Sequence, residues 1–208
     1  MVIQYVWEWI AMVKIGFIVE GNTEKIVINS QEFKEFLKGI NLAIVDPVID
    51  AKGNGNLLPQ NIEPFINRLK GASAEKIIVI TDADQDDISQ VKARILPADA
   101  LYDIDLIVVA VKAFEAWFLA CEELMRKVLC LPNFSMQFPE RTQELPFEYI
   151  KELARCNNVR GPGGKVSFAK KVIKNGFSLR EAAAHQNCPS AKFFLDNLLQ
   201  ISRSKLGN

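Results

Sequence analysis

Little in this chain of 208 residues points to thiolate metal sites, oxidative cross-links or a membrane. Its cysteines stand at 121, 130, 156 and 188 with no Cys-x-x-Cys pair, and His185 is the only histidine. Zinc-ligand spacing is therefore missing, and the thiols are read as reduced. No apolar run approaches the roughly 20 residues of a membrane span. The start lacks a basic segment followed by a small-residue cleavage site, so the cytoplasm is the expected compartment. Two glycine-rich stretches also fail as nucleotide motifs. Gly53-Asn54-Gly55 has no third glycine in the dinucleotide register and reads as a mobile turn. In GPGGKVS (161–167), the first glycine of a phosphate loop falls at Val159, and Val166 replaces the hydroxyl residue that should touch magnesium.

What is present is an ordinary globular make-up, 49% hydrophobic and 24% charged, long enough for one domain with an appendage or for two small ones. The net charge of zero hides an asymmetry. Residues 1–145 carry 14 Lys+Arg and 21 Asp+Glu, whereas residues 146–208 carry 11 and 4. An acidic part able to hold a cation, joined to a basic part able to meet a polyanion, suits a magnesium enzyme acting on nucleic acid. Two solvated surfaces that differ by chance are the plainer reading.

Short apolar runs alternate with helical patterns. VKIGFIV (13–19), LAIVDPVI (42–49), EKIIVIT (75–81) and DLIVVAV (105–111) read as strands, Pro47 marking an edge or a bulge in the second. Helices are predicted from Asn22, which can cap the first, to Ile40, over 62–69, around 86–96, and over FEAWFLACEELMRKVL (114–129). The pattern predicts an α/β fold with a mainly parallel sheet, because parallel neighbours need long crossovers. Three prolines then mark a connector, and three or four short helices follow, with Ser178 and Glu181 spaced as a capping box and Pro189 opening the last. The chain divides into an extension (1–12, of which 1–11 read as a misplaced start or a lid), an α/β domain (13–131), and a connector with a helical cap (132–208).

In parallel sheets, ligands collect beyond the carboxyl ends of the strands, where Glu20 and the pair Asp82 and Asp84 fall. Converging carboxylates repel one another unless a cation lies between them. Magnesium suits such a place because it binds one or two carboxylates and completes its shell with water and phosphate oxygens. If the strand stays extended, Asp82 and Asp84 point the same way and Ala83 turns aside. A lone strand-end aspartate is more often a helix cap, so the metal reading rests on the combination with Glu20. Asp86 and Asp87 read as first-turn helix acids, and Glu115 as either a site residue or a solvated helix-start carboxylate. His185 reads as a helix-end residue. Phe114, Trp117 and Phe118, at helical spacing, read as core.

The Glu-Gly pair after the first strand and Asp-x-Asp after a later one, in VEGNTEK and VITDADQDD, resemble the Toprim domain of topoisomerases, bacterial primases and OLD-family nucleases. The wording is most similar to small stand-alone Toprim-like and OLD-type proteins of bacteria, over about residues 13–120. That resemblance implies a Rossmann-like parallel sheet and Mg²⁺ or Mn²⁺ as cofactor. It implies Asp82 and Asp84 as ligands, and Glu20 as general acid or base or as a ligand of a second ion. Glu115, in AVKAFEAWFLA, matches an acidic position of such proteins, and Lys165 is the candidate for a lysine near the metal. The implied activity is nuclease, with Lys165 or Arg160 stabilising phosphate charge. DNA or RNA is the implied partner, with room for a partner protein or ATPase and for a homodimer, and no membrane.

Rivals weaken on the same residues. Tyr5, Tyr102 and Tyr149 are the only tyrosines, and 208 residues leave no room for DNA-clamping domains, which counts against a topoisomerase. An Asp-x-Asp phosphatase places its motif after the first strand, and a receiver domain has an acidic pair there. A non-catalytic Toprim-like module that binds nucleic acid or protein remains as the alternative.

Overall fold

Five runs rich in β-branched residues form one parallel sheet: β1 (Val13–Val19), β2 (Leu42–Ile44), β3 (Ile49–Asp50), β4 (Lys76–Asp82) and β5 (Leu106–Ala110). The computed structural model describes residues 12–98 and 103–204, so the extension at 1–11 lies outside the described residues. The strand order is β2-β1-β4-β5, and β3 joins the same side of β1 further along. The expected single strand over 42–49 is thus two short edge strands. Pro47, which has no N–H to give a ladder, lies in the gap between them.

Ten helices are described: α1 (Asn22–Ile28), α2 (Gln31–Lys38), α3 (Pro59–Gly71), α4 (Ile88–Ile95), α5 (Glu115–Ala120), α6 (Glu122–Leu129), α7 (Pro146–Cys156), α8 (Lys165–Lys174), α9 (Leu179–Ala184) and α10 (Pro189–Ser204). Two long helices expected from periodicity are each broken. Ser30 interrupts the first, its hydroxyl accepting the Phe33 N–H at 3.2 Å to cap α2. Cys121, at φ −91° and ψ 79°, interrupts the second. Gly21 rather than Asn22 holds the cap position of α1, and Ser178 precedes α9 without a capping hydrogen bond from its side chain. Asp87 caps α4, and Asp86 pairs with Arg94.

The strands are buried on both faces, as parallel strands usually are. One face is covered by α3 and α4, with Ile18, Ile77, Val79, Ile107 and Val109 packing on Ile62, Ile66, Leu69 and Val91. Gly16 lies on this side because a Cβ there would stand 2.9 Å from Leu69 Cδ1 and 3.1 Å from Ala74 Cβ. The other face carries the larger core, in which Phe17, Ile78 and Val108 meet Phe114, Trp117, Phe118, Phe168 and Phe194. The aromatic residues of α5 are therefore core, as their spacing implied. Helices α8, α9 and α10 share that core, α10 packing on β5, α8 on α1 and α6, and α9 on α5 and α10. Among the described residues no helix is long and apolar enough to cross a membrane.

Candidate metal centre

The parallel pairing of β1 with β4 aligns Val19 with Ile80, which brings the chain ends after both strands together. Glu20 N donates to Ile80 O at 3.0 Å, continuing the ladder by one residue. Its side chain turns across to β4, where Oε2 accepts Thr81 Oγ1 at 2.5 Å and Asp82 N at 3.0 Å. Asp82 in turn accepts the Phe114 N–H at 2.9 Å through Oδ1, tying the end of β4 to the start of α5. The next residue is Glu115. Glu24, in the first turn of α1, accepts Gly21 N at 3.1 Å.

Helix α8 packs on α1 and brings Lys165, its first residue, onto this group from above the sheet edge. Lys165 Nζ stands 3.4 Å from Glu115 Oε1, which Thr23 Oγ1 also approaches at 3.4 Å. The other oxygen, Glu115 Oε2, is buried and has no hydrogen-bond partner. Glu115 is only 2% exposed and Glu24 only 4%, so the helix-start carboxylate read from sequence is not a solvated one.

Packing four carboxylates together has an electrostatic cost. Burial pushes Glu24 up to about 7, and the charges of Glu115 and Glu20 push the same way. Asp82 is raised well above the usual carboxylate range, first by desolvation and then by Glu24, Glu115 and Glu20, with Lys165 opposing. Burial would lower the Lys165 ammonium, but the carboxylates of Glu115 and Asp82 outweigh it and hold it higher than usual. Such an arrangement invites a cation, since added positive charge relieves both the repulsion and the desolvation.

These side chains line a cleft of about 330 Å³ at the carboxyl edge of the sheet, closed on its other side by Asp50, Lys52 and Gly53. Hollows of about 730 Å³ beside Cys130 and about 410 Å³ between Phe36 and Arg180 are larger but collect no such group, and in one of about 480 Å³ beside Asp84 the three aspartates are exposed, Asp86 pairing with Arg94 and Asp87 capping α4. The donors of the cleft are all hard oxygens, the kind magnesium and manganese take, and the orphaned Glu115 Oε2 is an unused ligand atom. Among the described residues, no three His, Cys, Asp or Glu side chains stand in the geometry to hold a metal ion. Glu20, Glu24 and Asp82 each accept a backbone N–H through one oxygen. The residues fit an ion in kind.

Of the residues singled out from sequence, Glu20, Asp82, Glu115 and Lys165 come together, and Asp84 does not line the cleft. The extended alternation that would aim Asp84 with Asp82 ends with β4 at Asp82. Asp84 is left-handed at φ 52°, donates its N–H to Lys112 O at 2.8 Å, and faces a separate hollow with Asp86, Asp87 and Glu140. Sequence reasoning missed Glu24. Its spacing four residues after Glu20, across a helix start, was the available signal. Arg160, in the loop before α8, does not line the cleft. His185 bonds to Met136 O at 2.8 Å and accepts Asn187 N at 3.1 Å, a structural role.

No family model matches the chain, and no curated protein does. Solved structures do resemble it. The C-terminal region of the Burkholderia pseudomallei OLD protein is 16% identical, with a TM-score of 0.46, over 90% of this chain and 98% of that one. The C-terminal region of the Xanthomonas campestris pv. campestris OLD protein is 15% identical, with a TM-score of 0.44, over 95% of this chain and 98% of that one.

Proposed function

We propose that the chain is a divalent-metal-dependent phosphodiesterase acting on nucleic acid, a nuclease, with its active site in the carboxylate cleft. The observation that carries this reading is Glu115 Oε2, a buried oxygen without a partner, among Glu20, Glu24 and Asp82 and beside Lys165. A buried carboxylate oxygen without a hydrogen-bond partner is costly unless something binds to it. Glu20, Asp82 and Glu115, with Glu24, would hold Mg²⁺ or Mn²⁺. When bound, the ion would supply Lewis-acid neutralisation of phosphate charge.

The remaining work belongs to the chain. Lys165 offers an ammonium at the rim of the cleft to charge developing on the phosphate oxygens, where a fixed cation in a partly dry site acts most strongly. Glu24, buried in the first turn of α1 with its carboxylate anchored on the Gly21 N–H, would join the ligand set. Thr81 and the Asp82 N–H fix the Glu20 side chain toward the cleft.

The test is to titrate the purified protein with Mg²⁺ and Mn²⁺ by calorimetry and to assay DNA and RNA for nicking with and without the ions. Metal uptake and metal-dependent cleavage, both lost in Asp82→Asn and Glu20→Gln with folding retained, are expected. Nucleic-acid binding without metal uptake or turnover would overturn the enzymatic reading in favour of a binding module.

A further inference from the structure

The wall of the cleft opposite Lys165 is a built turn. Pairing of β3 with β1 at Val19 and Asp50 places the end of β3 beside Glu20. From there Ala51 N donates to Val19 O at 2.8 Å and Gly53 N to Glu20 O at 2.9 Å. Asp50 Oδ1 accepts Lys52 N at 2.8 Å, and Asn56 Nδ2 donates to Ala51 O at 2.7 Å. These bonds hold Lys52 in the left-handed region, at φ 60°, and Gly53 at φ 114°. A lysine rarely adopts that conformation unless its surroundings fix it. The glycine-rich stretch read as a mobile turn is therefore pinned to the same backbone that presents Glu20.

Lys52 is exposed, lines the cleft, and has no ion-pair or hydrogen-bond partner for its ammonium among the described residues. Lys165, on the other wall, is already engaged by Glu115. The cleft thus has one cation committed to its carboxylates and one left free at its rim. We propose that Lys52 is a positioning residue that binds the phosphate next to the one undergoing cleavage, fixing the register of a nucleic-acid strand across the cleft. This rests on the nuclease reading for the identity of the substrate. The chemistry is that of a lysine as a point charge on a backbone phosphate, which contributes affinity and salt dependence without sequence preference.

The experiment measures binding, so that it does not depend on turnover. Fluorescence anisotropy of a short fluorescein-labelled single-stranded oligonucleotide is recorded with Ca²⁺ in place of Mg²⁺, with the strand checked to be intact afterwards, over a series of salt concentrations. The proteins compared are wild type, Lys52→Ala, Lys52→Arg and, as a remote control, Lys38→Ala. Lys52→Ala is expected to weaken binding about tenfold, as loss of one charge-assisted contact does. The slope of log Kd against log salt should fall by about 0.7, one phosphate contact on a single strand. Lys52→Arg should restore both. Equal weakening by Lys52→Ala and Lys38→Ala, or an unchanged slope in Lys52→Ala, would overturn the assignment. Hydrolysis of a small phosphodiester with no neighbouring phosphate, assayed on wild type alone, reports separately on the nuclease reading.

Discussion

The ammonium of Lys165 stands 3.4 Å from Oε1 of Glu115, joining the first residue of α8 to the first residue of α5 across the mouth of the cleft. One partner is about half exposed and the other almost fully buried, so the contact contributes more to charge placement than to stability. Its two members are expected to separate in experiment. Lys165→Ala should lower metal-dependent turnover about a hundredfold to a thousandfold, the loss that follows removal of one fixed charge stabiliser. Metal affinity should be unchanged or tighter in the same variant, because a competing cation has left Glu115. Calorimetric metal titration beside initial rates checks both, and a parallel loss of metal binding would contradict the role.

The raised carboxyl groups give the metal-free protein a defined pH dependence. Glu24 titrates near 7 in the folded chain against 4.5 as the ordinary value, so the folded state binds an extra proton between those values. Stability from this group is full below about 4.5 and declines as pH rises toward about 7. Asp82, also raised by burial and by the neighbouring carboxylates, contributes a decline of the same sign. Thermal melts of the metal-free protein should therefore fall as pH is raised over this window. Added Mg²⁺ or Mn²⁺ should restore the melting temperature, most strongly at the alkaline end, and about 2.7 kcal/mol is the gain at a free ion concentration one hundred times Kd.

Much of this was legible in the sequence because strands buried on both faces write themselves as continuous apolar runs. β1, β4 and β5 lie close to where VKIGFIV, EKIIVIT and DLIVVAV placed them, which put Glu20 and Asp82 at one edge of the sheet, and the pairing of β1 with β4 brings them together. What was hidden depends on contacts between distant segments. Glu24 looks like any first-turn helix acid until α8 packs over α1, and Glu115 looks solvated until Thr23 and Lys165 close on it. Asp84 misled because periodicity cannot show where a strand stops. A left-handed residue two positions beyond Asp82 undoes the alternation. Lys52 carried no pattern at all, since its place follows from the pairing of a two-residue strand.

Glu24→Gln isolates the group that sequence reasoning overlooked. The amide oxygen can still accept the Gly21 N–H, so the start of α1 should hold, while the raised acid is gone. Without metal, the variant is expected to match or exceed wild type in stability at about pH 8 and to show a flatter melting profile between about 4.5 and 7. With metal, the stabilisation should shrink and turnover should fall. Melts with and without Mn²⁺ decide the matter, and an undiminished metal effect would remove Glu24 from the site.

The hydroxyl of Ser190 links two buried groups that support α5 from behind. It accepts Trp117 Nε1–H at 2.7 Å and donates to the Glu140 carboxylate, which also accepts Ser190 N at 3.0 Å. Trp117 is fully buried and Glu140 only 4% exposed, so neither can turn to water when the hydroxyl is lost. Ser190→Ala should cost about 2–3 kcal/mol in urea denaturation, the penalty of leaving buried polar groups unpaired. Glu140 is already raised by burial, with the Ser190 hydroxyl holding it down. Its removal raises the carboxyl further, so stability from Glu140 is lost over a longer stretch as pH increases. The deficit of the variant against wild type should therefore be larger at about pH 8 than at about pH 5. An equal deficit at both would show that the hydroxyl acts through Trp117 alone, and the position of α5, with Glu115 at its head, would then depend on the indole rather than on the buried acid.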